Sequence, residues 1–353
     1  MSKEIYKLGE LFCGPGGIAL GAKMAKFKNK NIEYKFKHVW ASDYHSETCQ
    51  TYQKNFPDVN VICTDVKNLD IDSLEKIDGF AYGFPCNDFS IVGETKGFTG
   101  NFGGLYTYGI KILNRFNPDF FIAENVGGLT SANDGKAFKQ IVHDLENAGD
   151  NGYTVTIHKY KFEEYGIPQK RHRIIMVGIN KSLNKKFSVP EPTHIKKYTS
   201  VKNTLEKYPI PDTAANNEKT MQSKTVIERL KLIEPGKNIW QTELPEHLQL
   251  NVKGAKLSQI YRRLHPDEPS YTITGSGGGG THGYHYSEPR ALTNRERARI
   301  QTFPDDFIFL GKKESVRRQI GMAVSPDMAH IIFEAVLKTL TGVSYPSVKP
   351  RYQ

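Results

Sequence analysis

Cysteine is scarce in this chain, with four among 353 residues: Cys13, Cys49, Cys63 and Cys86. No two of them stand at a metal-binding spacing, and so few over this length make no disulfide framework. We therefore expect no metal and reduced thiols in a cytoplasmic setting. Long apolar runs are also missing. Met1-Ser2-Lys3-Glu4-Ile5-Tyr6 lacks the apolar core of a signal peptide, and no run approaches the length of a membrane span. A soluble protein with no membrane partner is the expectation. Solenoid-type repeats are absent, which excludes a stacked array. Acids are outnumbered: 38 Asp and Glu face 48 Lys and Arg, giving a net charge of +10 and a pI of about 9.2. The excess suits a polyanionic partner without proving one.

What is present, over the first half, is alternation. Ile5 to Phe12 reads as a strand, followed by a glycine-rich turn and a helix from about Ile18 to Met24. Lys37 to Ser42 is a strand ending at Asp43, Ser46 to Asn55 a helix, and Val59 to Cys63 leads to Asp65. Further strands end at Cys86 and Glu124. Lys136 to Ala148 has helical spacing, and Tyr153 to Tyr160 and Arg173 to Ile179 read as strands. Repeated β-then-α units predict an α/β fold with a mainly parallel, doubly wound sheet and its site along the carboxyl edge. Near Asn180 prolines, lysines and asparagines thicken and periodicity fades, which marks a domain boundary. Helical signals return at Thr293 to Gln301 and Pro326 to Leu340. The expected division is residues 1–183, a second domain over 184–315, and a segment 316–353 returning to the first.

The chemistry concentrates in a few blocks. Phe84-Pro85-Cys86-Asn87-Asp88-Phe89-Ser90 puts a thiol at a strand end, and Ala123-Glu124-Asn125-Val126 puts a carboxylate at another. Together they suit thiolate addition to an electron-poor ring whose nitrogen is hydrogen-bonded or protonated by the acid. A free cysteine is most often a core residue, but Asn87, Asp88 and Ser90 would be odd neighbours for a core position. The turn Leu8-Gly9-Glu10-Leu11-Phe12-Cys13-Gly14-Pro15-Gly16-Gly17 lets backbone approach a ligand at a helix start. Asp43 and Asp65, at the next two strand ends, suit ribose hydroxyls and an adenine amine, or else cap helices. Gln169, Arg171 and Arg173 alternate along a strand and so share one face, either a site or a surface ion-pair stripe. The lysines from Lys23 to Lys37 read equally as a solvated helix face and loop.

With Gln169-Lys170-Arg171-His172-Arg173 and Arg290-Ala291-Leu292-Thr293-Asn294-Arg295-Glu296 following in order, the chain resembles the bacterial DNA cytosine-5 methyltransferases. The likeness runs from Leu8 to about Pro326, and only the stretch from about Lys181 to Ser270 matches nothing placed. It implies a Rossmann-like S-adenosylmethionine-binding domain and a smaller target-recognition domain. Cys86 would attack C6 of a flipped-out cytosine, and Glu124 would contact N3 and the exocyclic amine, holding or sharing the N3 proton. Arg173 would reach O2, and Arg171 would buttress Cys86 and the DNA backbone. Cofactor contacts would fall to Phe12, Gly14, Pro15, Gly16, Gly17, Asp43, Tyr44, Asp65, Val66, Pro85, Leu105, Met322 and Ala323. DNA contacts would fall to Ser90, Gln169, Thr272, Gly277 and Gly278. The glycine-rich segment Val92 to Leu105 would close over the flipped base, and Gly275 to Gly280 resembles a recognition loop.

Four positions depart from the family pattern: Asp43 stands where glutamate is frequent, Phe102 where relatives carry arginine, Met322 where they carry asparagine, and Ser325 where proline is frequent. The partners implied are duplex DNA and, functionally, a restriction endonuclease, with the enzyme acting as a monomer. Two other readings remain: an enzyme of this fold acting on RNA, and an inert DNA-binding regulator. A nicotinamide oxidoreductase fails on the glycine pattern and leaves Cys86 and Glu124 unexplained.

Overall fold

A computed structural model describes residues 3–85, 104–251, 257–275 and 279–352. Cys86, Ser90, Phe102, Gly277 and Gly278 lie outside the described residues. In chain order the first elements are β1 (Ile5–Leu11), α1 (Gly17–Met24), β2 (Lys26–Asn29), β3 (Ile32–Asp43), α2 (Ser46–Asn55), β4 (Asn60–Cys63) and β5 (Gly79–Gly83). Next come α3 (Tyr106–Phe116), β6 (Phe120–Val126), α4 (Lys136–Glu146), β7 (Tyr153–Lys161), β8 (Gln169–Lys170), β9 (His172–Asn180) and β10 (Val189–Pro190). The last are α5 (Val201–Glu206), α6 (Lys224–Leu232), β11 (Ser270–Tyr271), α7 (Asn294–Ile300), α8 (Lys313–Met322), α9 (Pro326–Thr341) and β12 (Ser347–Val348).

Two compact units result: residues 1–161, 172–192 and 326–353 form the first, residues 162–171 and 193–325 the second. Two junctions, at 192/193 and 325/326, fall later than the loss and return of periodicity suggest, and two more, at 161/162 and 171/172, put residues 162–171 of the expected first domain in the second unit. The short pair β10–β12 ties the chain beyond residue 183 into the first unit. In the second, Asn294 Nδ2 donates to the Lys313 carbonyl, holding the start of α8 beside α7.

The first unit is an α/β sandwich around one sheet of order β2-β3-β1-β5-β6-β9-β7, with β4 beside the far half of β3. Strands β4, β3, β1, β5 and β6 run parallel, whereas β2, β9 and β7 pair antiparallel. The sheet is mixed but mainly parallel, as expected: β9 is antiparallel to both β6 and β7, so β7 runs with β6, and only β2 and β9 run against the rest. Phe120-Phe121-Ile122-Ala123 is a continuous apolar run because β6 is covered on both faces. On one face the stripes Ile112, Leu113 of α3 and Ile141, Leu145 of α4 bury against Phe80, Tyr82 and Phe121. On the other, the Phe333 ring of α9 lies 4.9 Å from that of Phe36 and 6.5 Å from that of Phe120. Lys313–Thr341 is, against the sequence-based expectation, long and apolar enough to cross a membrane, but 67% of its most apolar window is buried inside the protein. Met328, Ile332, Phe333 and Val336 of that run are core residues.

The second unit has short elements and a small apolar cluster around Leu230, Ile233, Tyr261 and Tyr284. Buried guanidinium groups do much of the joining. Arg263 donates to the carbonyls of His285, Leu230, Ile233 and Tyr286, and Arg295 to those of Ala215, Pro304 and Phe307. Each supplies donors to loop carbonyls that no ladder satisfies. Helix α7 starts with a capping box between Thr293 and Glu296.

Candidate active site

The chain leaves β1 at Leu11 and enters α1 at Gly17 through a turn of unusual backbone. Phe12 has φ 53°, a left-handed conformation that costs a bulky residue on the order of 1–3 kcal/mol and persists only where surroundings enforce it. Gly14 has φ 53° and faces open space, while a Cβ on Gly16 (φ 102°) would lie 2.5 Å from the Phe56 ring. Asp43, at the end of β3, pins this turn: its Oδ2 accepts the Gly14 N–H and its Oδ1 the His45 N–H, both at 3.0 Å. Burial pushes the Asp43 carboxyl above its ordinary value, and the backbone amides of His45, Gly14 and Tyr44 oppose that shift. Each oxygen keeps a second acceptor site.

Beside the turn is a cleft of about 170 Å³. Of the expected cofactor residues, Phe12, Asp43, Tyr44, Asp65, Val66, Pro85 and Leu105 line it. Leu11, Ser42, Thr64 and Lys67 also line it and were not foreseen, although each adjoins a predicted residue at a strand end. Gly14 enters through its bond to Asp43, whereas Pro15, Gly16 and Gly17 are buried in the turn and shape it. Asp65 also serves as a cap, its Oδ1 accepting the Lys67 N–H at 2.9 Å. Below the turn, Glu10 is fully buried. Its Oε2 accepts the Tyr52 hydroxyl at 3.2 Å and lies 3.3 Å from His38 Nε2. Burial pushes the Glu10 carboxyl and the Cys13 thiol up. Nothing in the sequence pattern singled out Glu10.

Glu124 lies within β6, two residues before the strand ends, rather than at its end. Its neighbours are Gly83 on β5 and Ile175 on β9. Arg173, opposite Val126, is the diagonal neighbour, and its Nε meets Glu124 Oε1 at 2.9 Å. Both side chains are 14% exposed, so the pair is shielded yet reachable. Gly83 leaves room for it: a Cβ there would stand 3.2 Å from Glu124 Oε2. Asn125, to which the sequence alone assigns no role, is buried and donates to the Phe84 carbonyl at 3.0 Å. It clamps the chain that runs into Pro85 and hence toward Cys86.

In the second unit, Gln169 and Arg171 depart from expectation. They do not share one strand face with Arg173, because β8 ends at Lys170 and β9 begins at His172. Gln169 is fully buried, donating to Gln301 Oε1 at 2.7 Å and accepting the Ile273 N–H at 2.8 Å. Its amide is spent on protein, so it props the Ile273 segment instead of reading a base. Arg171, also buried, donates to the carbonyls of Ile273 and Ala323. That makes it a brace within this unit. Thr272 donates its hydroxyl to the Lys170 carbonyl at 2.8 Å. Met322 is 67% exposed at the end of α8, and Ala323 is buried with its carbonyl accepting from Arg171 and Gln301. Among the described residues no cluster of His, Cys, Asp or Glu could hold a metal ion.

The first unit thus holds an apolar and acidic cleft and, on β6, a carboxylate fixed by a guanidinium. A family model described as C-5 cytosine-specific DNA methylase matches residues 6–338. The chain is 59% identical over 357 aligned residues to the Type II methyltransferase M.BbvI of Brevibacillus brevis, covering 98% of this chain and 95% of that protein. It is 41% identical to the Type II methyltransferase M.NgoFVII of Neisseria gonorrhoeae, covering 91% and 83%. Among solved structures, one described as a DNA modification methyltransferase encoded within an E. coli prophage shares the fold. Its TM-score is 0.74 at 24% identity, over 95% of this chain and 99% of that one.

Proposed function

The chain belongs to the C-5 cytosine-specific DNA methylase family, and from that premise we propose that it methylates C5 of a flipped-out cytosine in a specific duplex sequence, using S-adenosylmethionine and a covalent bond from Cys86 to C6. One observation carries this reading. Pro85 lines the cleft and Gly83 underlies Glu124, so both features converge within three residues of Cys86.

The cleft fits an adenosine-bearing cofactor: Phe12, Val66 and Leu105 offer apolar surface, Asp43 has acceptors for ribose hydroxyls, and Asp65 has a second oxygen for an exocyclic amine. S-adenosylmethionine supplies the electrophilic methyl group when bound. Cys86 gives up its proton to solvent and its sulfur bonds to C6, which drives electron density toward C5 and N3. Glu124 holds the proton at N3 and accepts from the N4 amine, while Arg173 fixes that carboxylate and donates to O2. Once C5 carries the methyl, water or hydroxide removes the C5 proton, the electron pair restores the ring, and the Cys86 thiolate leaves.

The second unit takes the role of target recognition, with the Gly275 to Gly280 run reaching base edges in the major groove. The enzyme acts as a cytoplasmic monomer and protects host DNA from a companion restriction endonuclease. The test is incubation with methyl-labelled S-adenosylmethionine and either duplex DNA or tRNA, followed by base-resolution mapping. 5-Methylcytosine at one recurrent duplex sequence is expected; label confined to tRNA would overturn the proposal.

A further inference from the structure

The lysines from Lys23 to Lys37 find no part in the chemistry above; Lys23 is exposed in the last turn of α1, as a helix-face reading expects, but those from Lys26 onward form no helix face or loop. Lys26 to Asp43 is a β-hairpin, β2–β3, turning at Lys30 and Asn31 with φ 47° and 68°. Register sorts its side chains. Tyr34 and Phe36 point into the core, which sends Lys35 and Lys37 to the opposite face. Lys26 stands directly across from Lys35, and on β1 Lys7 stands directly across from Lys37. Lys28, opposite Glu33, completes the row. All five lysines are exposed. Three carboxylates answer them: Glu75 meets Lys7 at 2.8 Å, Asp78 accepts the Lys7 backbone N–H and draws on its ammonium electrostatically, and Glu33 lies 3.9 Å from Lys35.

Like charges directly opposite one another destabilise a sheet, and here two such pairs lie side by side. Lysine on an edge strand commonly guards against sheet-to-sheet association. That explains Lys26 and Lys28 on β2, but not Lys7 on β1, which is flanked by β3 and β5. The patch is also remote from the cofactor cleft. Asp43 stands six steps along β3 from Lys37, about 20 Å at strand rise.

We propose that this lysine face is a second, sequence-independent docking surface for the phosphate backbone of duplex DNA, separate from the catalytic cleft. It rests on the reading of the chain as a DNA methyltransferase. Lysines spaced every second residue along two paired strands form a positive array about 7 Å by 5 Å in mesh. Such a surface attracts any duplex through counterion release and carries no base information. It would keep the enzyme on long DNA between target encounters.

The test is the triple variant Lys26→Gln, Lys28→Gln, Lys37→Gln in the full chain, with Lys→Arg at the same positions as the charge-preserving control. Binding to a duplex of arbitrary sequence is followed by fluorescence anisotropy over a range of salt concentrations. The slope of log K against log salt should fall by about 0.9 for each phosphate no longer neutralised, so by about 2–3 in total. The arginine variant should keep the wild-type slope. At saturation the methylation rate on a short duplex bearing the target should match wild type, and turnover on plasmid DNA should slow. An unchanged slope, with or without new aggregation, overturns the proposal and leaves edge protection as the explanation. Wild-type protein that binds no duplex DNA at all would instead sink the functional reading beneath it.

Discussion

Replacing Asp43 by alanine should damage two properties that separate in measurement. The first is stability. Both Asp43 oxygens accept backbone N–H groups at 3.0 Å, from Gly14 and from His45. A hydrogen bond to a charged acceptor is worth roughly 1.5–3 kcal/mol net, and these sites are only part-buried, so the lower end applies to each. The loss should be about 2–4 kcal/mol, read as a lower urea midpoint at unchanged m-value. The second is cofactor affinity. Removing the acceptors proposed for the ribose hydroxyls should cost a further 1–3 kcal/mol, or roughly 5- to 150-fold in Kd, by calorimetry with S-adenosylmethionine. Asp43→Asn keeps one carbonyl acceptor and should recover part of the stability. DNA affinity without cofactor should not move. Unchanged cofactor affinity in a folded Asp43→Ala protein would refute the ribose contact and leave Asp43 as a pin of the glycine turn alone. Unchanged stability would refute the pin.

Two more predictions follow from buried groups. Glu10 has a folded-state affinity for protons raised above the ordinary carboxylate value by burial, so its ionisation costs stability at neutral and higher pH, and that cost is lost as pH falls toward 4.5. Glu10→Gln should therefore raise stability at pH 8 and flatten the decline that sets in as pH rises above about 4.5; urea titrations with the same pH slope as wild type would contradict this. Gly83→Val should push Glu124 off its 2.9 Å contact with Arg173, since even a Cβ would stand 3.2 Å from Oε2. Expected is a fall in kcat of about 100-fold or more, the scale of losing a positioned acid, with S-adenosylmethionine affinity little changed; an unaffected kcat would remove Glu124 from the chemistry.

Much of the first unit was legible because its signals are local. Polar residues follow apolar runs at Asp43, which ends β3, at Asp65, two residues beyond β4, and at Glu124, two residues before β6 ends, and the helices α2, α4 and α9 repeat apolar residues at helical spacing. The hairpin at Lys30-Asn31 escaped notice because neither residue is a glycine, and its alternation is lysine against aromatic. β7 and β9 read correctly as strands, but the insertion of β9 antiparallel between β6 and β7 depends on the order in which they join the sheet, which no local pattern encodes. In the second unit little was legible beyond helix α7, expected over Thr293 to Gln301 and found at Asn294–Ile300. Arg263 and Arg295 hold loops by donating to carbonyls scattered along the chain, and such bonds leave no period. Gln169 shows the same limit: its alternation with Arg171 and Arg173 suggested an exposed face, whereas a break at Arg171 sends it into the interior.

The central claim is that Cys86 forms a covalent bond to C6 of the target cytosine. Duplex DNA with 5-fluorocytosine at the target, incubated with the enzyme and S-adenosylmethionine, tests it most directly, because fluorine cannot leave C5 as a proton does and the adduct stays trapped. A denaturation-resistant protein–DNA complex should form, mass spectrometry should map the bond to Cys86, and Cys86→Ala should yield none. An adduct of equal yield from Cys86→Ala, or one mapped to Cys13, Cys49 or Cys63, would contradict the account.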